Sequence, residues 1–358
     1  MKVTWEQIFA WRLDRQFVTA GDGANAVEVA RRLCGVQAQV ASSARHAIAL
    51  RTPDADTETP LWHDRTLVKT WLMRGTLHLL PADQLPDYCA ALATLRAWEK
   101  GSWQRGHGVT AAEIGAIIEA VPQALSKNHL TREELVDAVV EVTGDEHLRD
   151  ALTSGWGALL KPLSRLGELC YGPPRDGKVT FASPRDWLPR WPEELPPHEE
   201  AGVRVARAFL AAHGPATMEM FDTWLFGGVA KKSVLKAWFN GLAPELTEVD
   251  AQGTKLLALK EHLDDLAAAE PDGRVHLLPG FDQYILGAPR KLEPLIAPEA
   301  RPKVSRTAGW ISPVVIYRGH VAGVWEPKGD LDLFEDVPTK ELDRALLRLG
   351  ENAPRPQA

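Results

Sequence analysis

The chain has 358 residues, with 41 Lys+Arg against 48 Asp+Glu, a formal net charge of −7. Hydrophobic residues make up 45% and charged residues 25%, a globular balance that excludes extended disorder. No apolar run reaches the roughly 18 residues of a membrane helix, and the first six residues lack the apolar core of a signal peptide. Cys34, Cys89 and Cys170 are odd in number and widely scattered. They predict neither a disulfide framework nor a cysteine zinc site, and they fit a reducing cytosol. Mild acidity argues against a blanket nucleic-acid coat but leaves room for a local basic face. At about 100–200 residues per domain, the length predicts two to four domains.

Ala, Leu and Val at spacings of three and four predict helices along most of the chain. The first unit has helices over 4–17, 26–33 and 41–50, broken at Gly35. The segment 67–73 then leads into Gly75-Thr76-Leu77-His78-Leu79-Leu80, read as a wing. The second unit is clearest. Thr131-Arg132-Glu133-Glu134 reads as a capping box, and Leu135, Val136, Val139 and Val140 form an apolar stripe ending near Gly144. A short helix over 146–152 follows, then one from Trp156 to Gly167 in which Pro162 predicts a kink or break. Residues 169–171 and 179–181 flank a loop over 172–177. Three helices followed by a hairpin predict a winged helix-turn-helix.

The same order recurs with helices over 198–212, 218–225 and 230–239, then wing strands over 246–249 and 255–259. The segment 192–197, with three prolines and two acids, reads as a linker. Beyond about Pro271 the pattern turns to strands over 275–278, 311–317 and 321–325, the last two joined at Arg318-Gly319-His320. This predicts a small β-rich domain closed by a helix over 340–349, with a frayed tail over 351–358. The expected domains are 1–120, 121–195, 196–270 and 271–358.

Three basic clusters stand out: Lys161, Arg165, Arg175, Lys178, Arg185 and Arg190; Lys231, Lys232 and Lys236; and Arg290, Lys291, Arg301, Lys303 and Arg306. Each reads either as a solvated face or, on the third helices and loops of such units, as a nucleic-acid contact. Conventional catalytic signatures are absent: there is no phosphate loop, H-E-x-x-H, G-x-S-x-G or EF-hand loop. His107, His129 and His147 lack metal-ligand spacing and read as ordinary histidines. Val36-Gln37-Ala38-Gln39-Val40 follows Gly35 directly. Amides at i and i+2 do not share a face of a regular helix, so one site using both requires a turn or an irregular helix start.

Gly35-Val36-Gln37-Ala38-Gln39, then Arg51, then Thr70-Trp71-Leu72-Met73-Arg74-Gly75-Thr76-Leu77-His78-Leu79, and late in the chain Leu278-Pro279-Gly280-Phe281-Asp282-Gln283-Tyr284-Ile285-Leu286-Gly287 occur in that order. Together they resemble the AlkZ/YcaQ family of bacterial DNA glycosylases, over most of the chain to about Trp325. The resemblance implies a mainly α fold with β wings: tandem winged helix-turn-helix domains plus a small C-terminal β-barrel, C-shaped around DNA. It implies that Gln37 and Gln39 are the catalytic pair. The Gln-aliphatic-Gln form goes with excision of bulky N7-alkylguanines and unhooking of interstrand crosslinks, whereas Asp in place of the second Gln goes with a broader range. DNA or lesion contacts are expected from Arg45, Arg51, Arg74, Thr76, His78, Lys161, Arg165, Lys231, Lys232, Lys236, Asp282, Tyr284 and Lys291. Arg74, Thr76 and His78 read equally as a buried hairpin, and Asp282 and Tyr284 read first as a structural Asp and a packed Tyr.

The expected partner is double-stranded DNA carrying alkylated purines, with no cofactor, metal, membrane or protein partner. A monomer in a bacterial cytoplasm is expected. Two other readings share the pattern: a non-catalytic winged-helix regulator, and a broad-range alkylation repair enzyme of the YcaQ kind.

Overall fold

The computed structural model describes residues 1–153, 157–326 and 330–352, with side chains to 349. The chain forms two compact units, one of Met1–Asp56 with the residues from Ala206 onward, the other Thr57–Val205. Both are built mainly from helices, with small sheets. Among the described residues no helix is long and apolar enough to cross a membrane.

The N-terminal part of the first unit begins with β1 (Lys2–Val3) and α1 (Trp5–Arg15). Thr4 and Gln7 make a reciprocal capping box at the start of α1. Next come α2 (Ala26–Arg32), capped by Asn25, then the short extended β2 (Val36–Gln37) and α3 (Ala41–Ala49).

The second unit opens with a hairpin of β3 (Leu67–Trp71) and β4 (Leu77–Pro81), followed by α4 (Leu85–Leu92), α5 (Gly101–Gly106) and α6 (Ala111–Leu125). Then β5 (Leu130–Thr131) leads into α7 (Arg132–Thr143), α8 (His147–Thr153) and α9 (Lys161–Leu166). The expected Thr131/Glu134 capping box starts α7, and Gly144 ends it in the left-handed conformation that a residue without Cβ adopts at little cost. The hairpin β6 (Cys170–Arg175) and β7 (Lys178–Ala182) follows, with β5 paired to β7, and α10 (Pro184–Trp187) closes the set. Leu135, Val136, Val139 and Val140 pack with Ile117, Leu163 and Phe181 in one core, so the apolar stripe is the buried face.

Continuing along the chain, α11 (His198–His213), α12 (Met218–Phe226) and α13 (Lys232–Leu242) precede the hairpin β8 (Leu246–Ala251) and β9 (Thr254–Leu259). The N-terminal β1 adds to β8 in parallel. After α14 (Leu263–Ala268) come β10 (Val275–Leu278), α15 (Gln283–Leu286), α16 (Arg301–Val304), β11 (Val314–Tyr317), β12 (His320–Trp325), β13 (Leu331–Leu333) and α17 (Thr339–Asn352). The first unit's core joins Ile8 and Phe9 of α1 to Val249, Leu278, Tyr284 and Val314.

Several expectations are sharpened or corrected. The expected break falls just ahead of Pro162: residues 158–160 are turn, and Pro162 lies in the first turn of the short α9, where its missing N–H has no helical partner to lose. Trp156, where that helix was expected to start, lies outside the described residues, as do 353–358 of the tail, whereas α17 runs on to Asn352. The loop over 172–177 shrinks to Asp176-Gly177, both at positive φ, which matches the twist of the flanking strands. The C-terminal sheet is not a closed barrel. Its four strands lie in linear order β10-β11-β12-β13, an antiparallel sheet open between its outer strands. Ala345 of α17 packs with Val275 and Leu277 of β10 and Val315 of β11, so a helix covers apolar surface that closure would otherwise bury.

Gly287, the last residue of the late motif, is set by space. A Cβ there would fall 2.1 Å from Nδ1 of His213, whose buried ring contacts Gln16 and the Leu33 carbonyl. Gly287→Ala is expected to cost about 1–3 kcal/mol, measured by urea unfolding. A His213→Ala background should recover part of that loss.

Candidate functional site

Gln37 ends β2 and is buried, while Gln39 lies in a bend and is exposed, with the buried Ala38 between them. The segment is not helical, which is the condition for one site to use amides at i and i+2. It feeds directly into α3, whose N-cap residue Val40 offers no side-chain cap and whose first turn carries no acid. Indeed the sequence from Leu33 to Leu50 contains neither Asp nor Glu. The uncapped amides and the positive end of the helix dipole favour negative charge at this end. Arg45 is exposed one turn into α3. A carboxamide has donors and an acceptor but does not titrate near neutrality, so this segment can orient a polar molecule without serving as a general base.

The other end of α3 is locked. The guanidinium of Arg51 donates to both oxygens of Asp282, each at 2.8 Å, and to the carbonyls of Gln16 and Ala47 at 2.9 and 2.8 Å. Asp282 also accepts from the Tyr284 amide and so caps α15. Both charged side chains are fully buried, so neither is presented to DNA. Their expected role as contacts gives way to a structural one, because their hydrogen-bonding groups are engaged inside the first unit. Tyr284 follows: it is buried and its hydroxyl donates to the Gly319 carbonyl.

In the second unit Arg74 occupies the turn between β3 and β4 at φ 56°, next to Gly75 at φ 70°. The Thr76 hydroxyl donates to the Met73 carbonyl within that turn. His78 is completely buried and hydrogen-bonds through Nδ1 to the Thr76 carbonyl. Burial, reinforced by the charge of Arg74, pushes its pKa down to about 3. The imidazole is therefore neutral at physiological pH and Nδ1 carries the proton. Lys161 and Arg165 are half-buried on α9. A Cβ on Gly75 would lie 3.6 Å from the Lys161 side chain and 3.7 Å from Nη2 of Arg165.

Lys231, Lys232 and Lys236 are exposed at the start of α13, as the charge pattern predicts. Lys291 is exposed, while two of its cluster are paired: Arg301 donates to the Lys291 carbonyl, and Lys303 pairs with Asp332 at 2.6 Å. The sequence reading did not single out His46 or His276. Both line a cavity of about 620 Å³ in the first unit, together with Thr52 and Arg274. His46 meets the Trp325 ring edge-on at 6.0 Å. No spacing signal joins residues so far apart in sequence. Among the described residues no group of three or more His, Cys, Asp or Glu is placed to hold a metal.

Two outcomes follow. Arg51→Met strands the Asp282 carboxylate in the core and should cost about 3–5 kcal/mol in chemical unfolding, with Arg51→Met/Asp282→Leu recovering much of it. For His78 the folded-state pKa lies below the unfolded value of about 6.5, so the unfolded chain binds more protons between roughly pH 6.5 and 3. Its contribution is whole above that window and is lost as pH falls, at up to about 1.4 kcal/mol per pH unit. His78→Leu should flatten the measured pH dependence of unfolding in that window.

Comparison with known proteins gives a consistent result. The family model described as DNA glycosylase AlkZ-like matches residues 30–348. The chain is 45% identical over 328 residues to a Streptomyces sahachiroi protein named interstrand DNA cross-link repair glycosylase, covering 91% of this chain and 88% of that one. It is similar to the solved structure of Streptomyces sahachiroi DNA glycosylase AlkZ, with a TM-score of 0.92 and 42% identity over 99% of this chain and 97% of the other.

Proposed function

Since the chain belongs to the AlkZ-like family of DNA glycosylases, we propose that it hydrolyses the N-glycosidic bond of N7-alkylated guanine, bulky adducts and interstrand crosslinks included. The observation that carries this reading is Gln37-Ala38-Gln39 on a non-helical segment without a carboxylate from Leu33 to Leu50. Most base excision needs a carboxylate to activate water or to stabilise the sugar cation. An N7-alkylguanine already bears a positive charge and leaves as a neutral purine without being protonated. What is left for the enzyme is to position water and to set a dipole against the developing oxocarbenium ion. Two amides suffice: Gln37 and Gln39 hold the attacking water beside C1′. The glycosidic bond breaks with its electron pair passing to the purine. The water's oxygen bonds C1′ and sheds its proton to bulk solvent, and the reaction ends at an abasic site.

The helix-and-hairpin sets over 111–182 and 198–259 support winged-helix modules, in each of which a helix precedes a β-hairpin. We read the chain as four modules, with the first boundary moved from 120 to about 110 because α6 runs unbroken over Ala111–Leu125 and the others near 195 and 270, acting as a monomer in a bacterial cytoplasm. Arg45 and the exposed Lys231, Lys232 and Lys236 meet duplex phosphates. The name of the 45% identical Streptomyces protein supports crosslink repair as the task, in general repair or in an antibiotic producer's self-resistance. Gln39, where the broad-range branch carries Asp, favours the bulky-adduct form. The regulator reading is set aside by the family.

A duplex with one N7-methylguanine and another with a bulky N7 adduct test this, with alkali revealing abasic sites. Gln37→Ala and Gln39→Ala should each slow excision by about 10²-fold or more while duplex affinity stays within a few-fold. Wild-type rates in both variants would remove the pair from the mechanism. Faster excision of N7-methylguanine than of the bulky adduct would place the enzyme with broad-range repair.

A further inference from the structure

Within the second unit, two cations from α9 converge on the turn of a hairpin some ninety residues earlier. Lys161 and Arg165 stand four residues apart on one helix face, where like charges repel. Lys161 Nζ lies 3.9 Å, and Arg165 Nη2 3.7 Å, from the point where a Gly75 Cβ would be. Both α9 side chains are half-buried, and neither makes an ion pair among the described residues. Nε of Arg165 is buried without a hydrogen-bond partner among them. Burial lowers the pKa of each, and for Lys161 the charge of Arg165 adds to the effect.

Half-buried positive charges without a counter-charge are costly, and solvated lysines on a surface do not converge in this way. The backbone is shaped to the same end. Arg74 and Gly75 both adopt positive φ, a conformation that a residue with a side chain rarely takes and that brings bare backbone up to the two cations. Charge, partial desolvation and bare backbone at Gly75 together call for a compact anion. On the reading of the protein as a DNA enzyme, the anion available at high local concentration is the duplex backbone.

We propose that Lys161 and Arg165 form a single phosphate site on the β3–β4 turn, which takes one phosphodiester group of the duplex. This rests on the DNA reading above and adds to it a defined anchor, built from two elements and serving one phosphate. It makes a prediction that scattered surface charge does not. Each phosphate neutralised contributes about 0.9 to the slope of log affinity against log salt. Two cations that share one phosphate therefore lose that contribution once.

Affinity for an undamaged duplex, measured across a salt series, tests the site without reference to excision. The Lys161→Gln/Arg165→Gln double variant should lower the magnitude of the slope by about 0.9, each single variant by no more than that, and Lys161→Arg should leave it unchanged. Thermal unfolding serves as the check on folding, with an unchanged or higher melting temperature expected because a like-charge contact is relieved. A loss of about 1.8 in the double variant would mean two independent surface charges and would overturn the shared site. An unchanged slope would overturn it altogether. In a parallel arm, inorganic phosphate that raises the melting temperature of wild type but not of the double variant, with the slopes unaltered, would assign the site to free phosphate and overturn the duplex assignment. Failure of the excision assay would touch the glycosylase chemistry alone, since the salt series uses DNA without a lesion.

Discussion

The first unit depends on two charges that have no water. Arg51 and Asp282 meet through two parallel hydrogen bonds in a fully buried setting, joining residues 231 positions apart. Taking both ions out of solvent is expensive, and the arrangement holds because it satisfies them so completely. The guanidinium also binds the carbonyl ends of α1 and α3, and the carboxylate caps α15. One contact thus fixes the C-terminal end of α3 against the late motif. The Gln37–Gln39 segment enters the same helix at its other end.

The distribution of charge follows the same logic of solvent access. Where a cation is fully buried, as at Arg51 and at Arg12, it meets a carboxylate or backbone carbonyls. Where it is exposed, as at Lys231, Lys232 and Lys236, water suffices. Lys161 and Arg165 fall between these cases, too enclosed for full hydration and without an acid partner among the described residues. Nearby, the wholly buried His78 resolves the same problem by staying neutral.

Much of the local structure was legible because it depends on neighbours in sequence. The Thr131/Glu134 capping box, the Val139 and Val140 stripe and the Gly144 stop act within a few residues, and all stand as read. Readings stayed coarse where local rules allow two outcomes. Pro162 breaks a helix interior but suits a first turn, and only the true start of α9 decides between them. Asp176-Gly177 fits a longer loop as well as a tight turn, and strand pairing selects the turn. The open C-terminal sheet escaped prediction for a larger reason. Whether four strands close or stay open is settled by what covers them, here α17, whose packing lies far along the chain.

The late motif shows the division most clearly. As a string, Leu278 to Gly287 served recognition well, and with the glutamine segment it was enough to bring the family into view. Its residues nevertheless work as packing: Asp282 on Arg51, the Tyr284 hydroxyl on the Gly319 carbonyl, Gly287 under the His213 ring. The sequence by itself determined the helices and their caps, the residue types of the Gln-Ala-Gln segment and the family, because these rest on short-range chemistry and on order along the chain. Tertiary structure alone decided which charges are hidden and which are offered. Desolvation depends on every neighbour in space, and Arg51, Lys161 and Lys231 differ in nothing that their own stretches of sequence disclose.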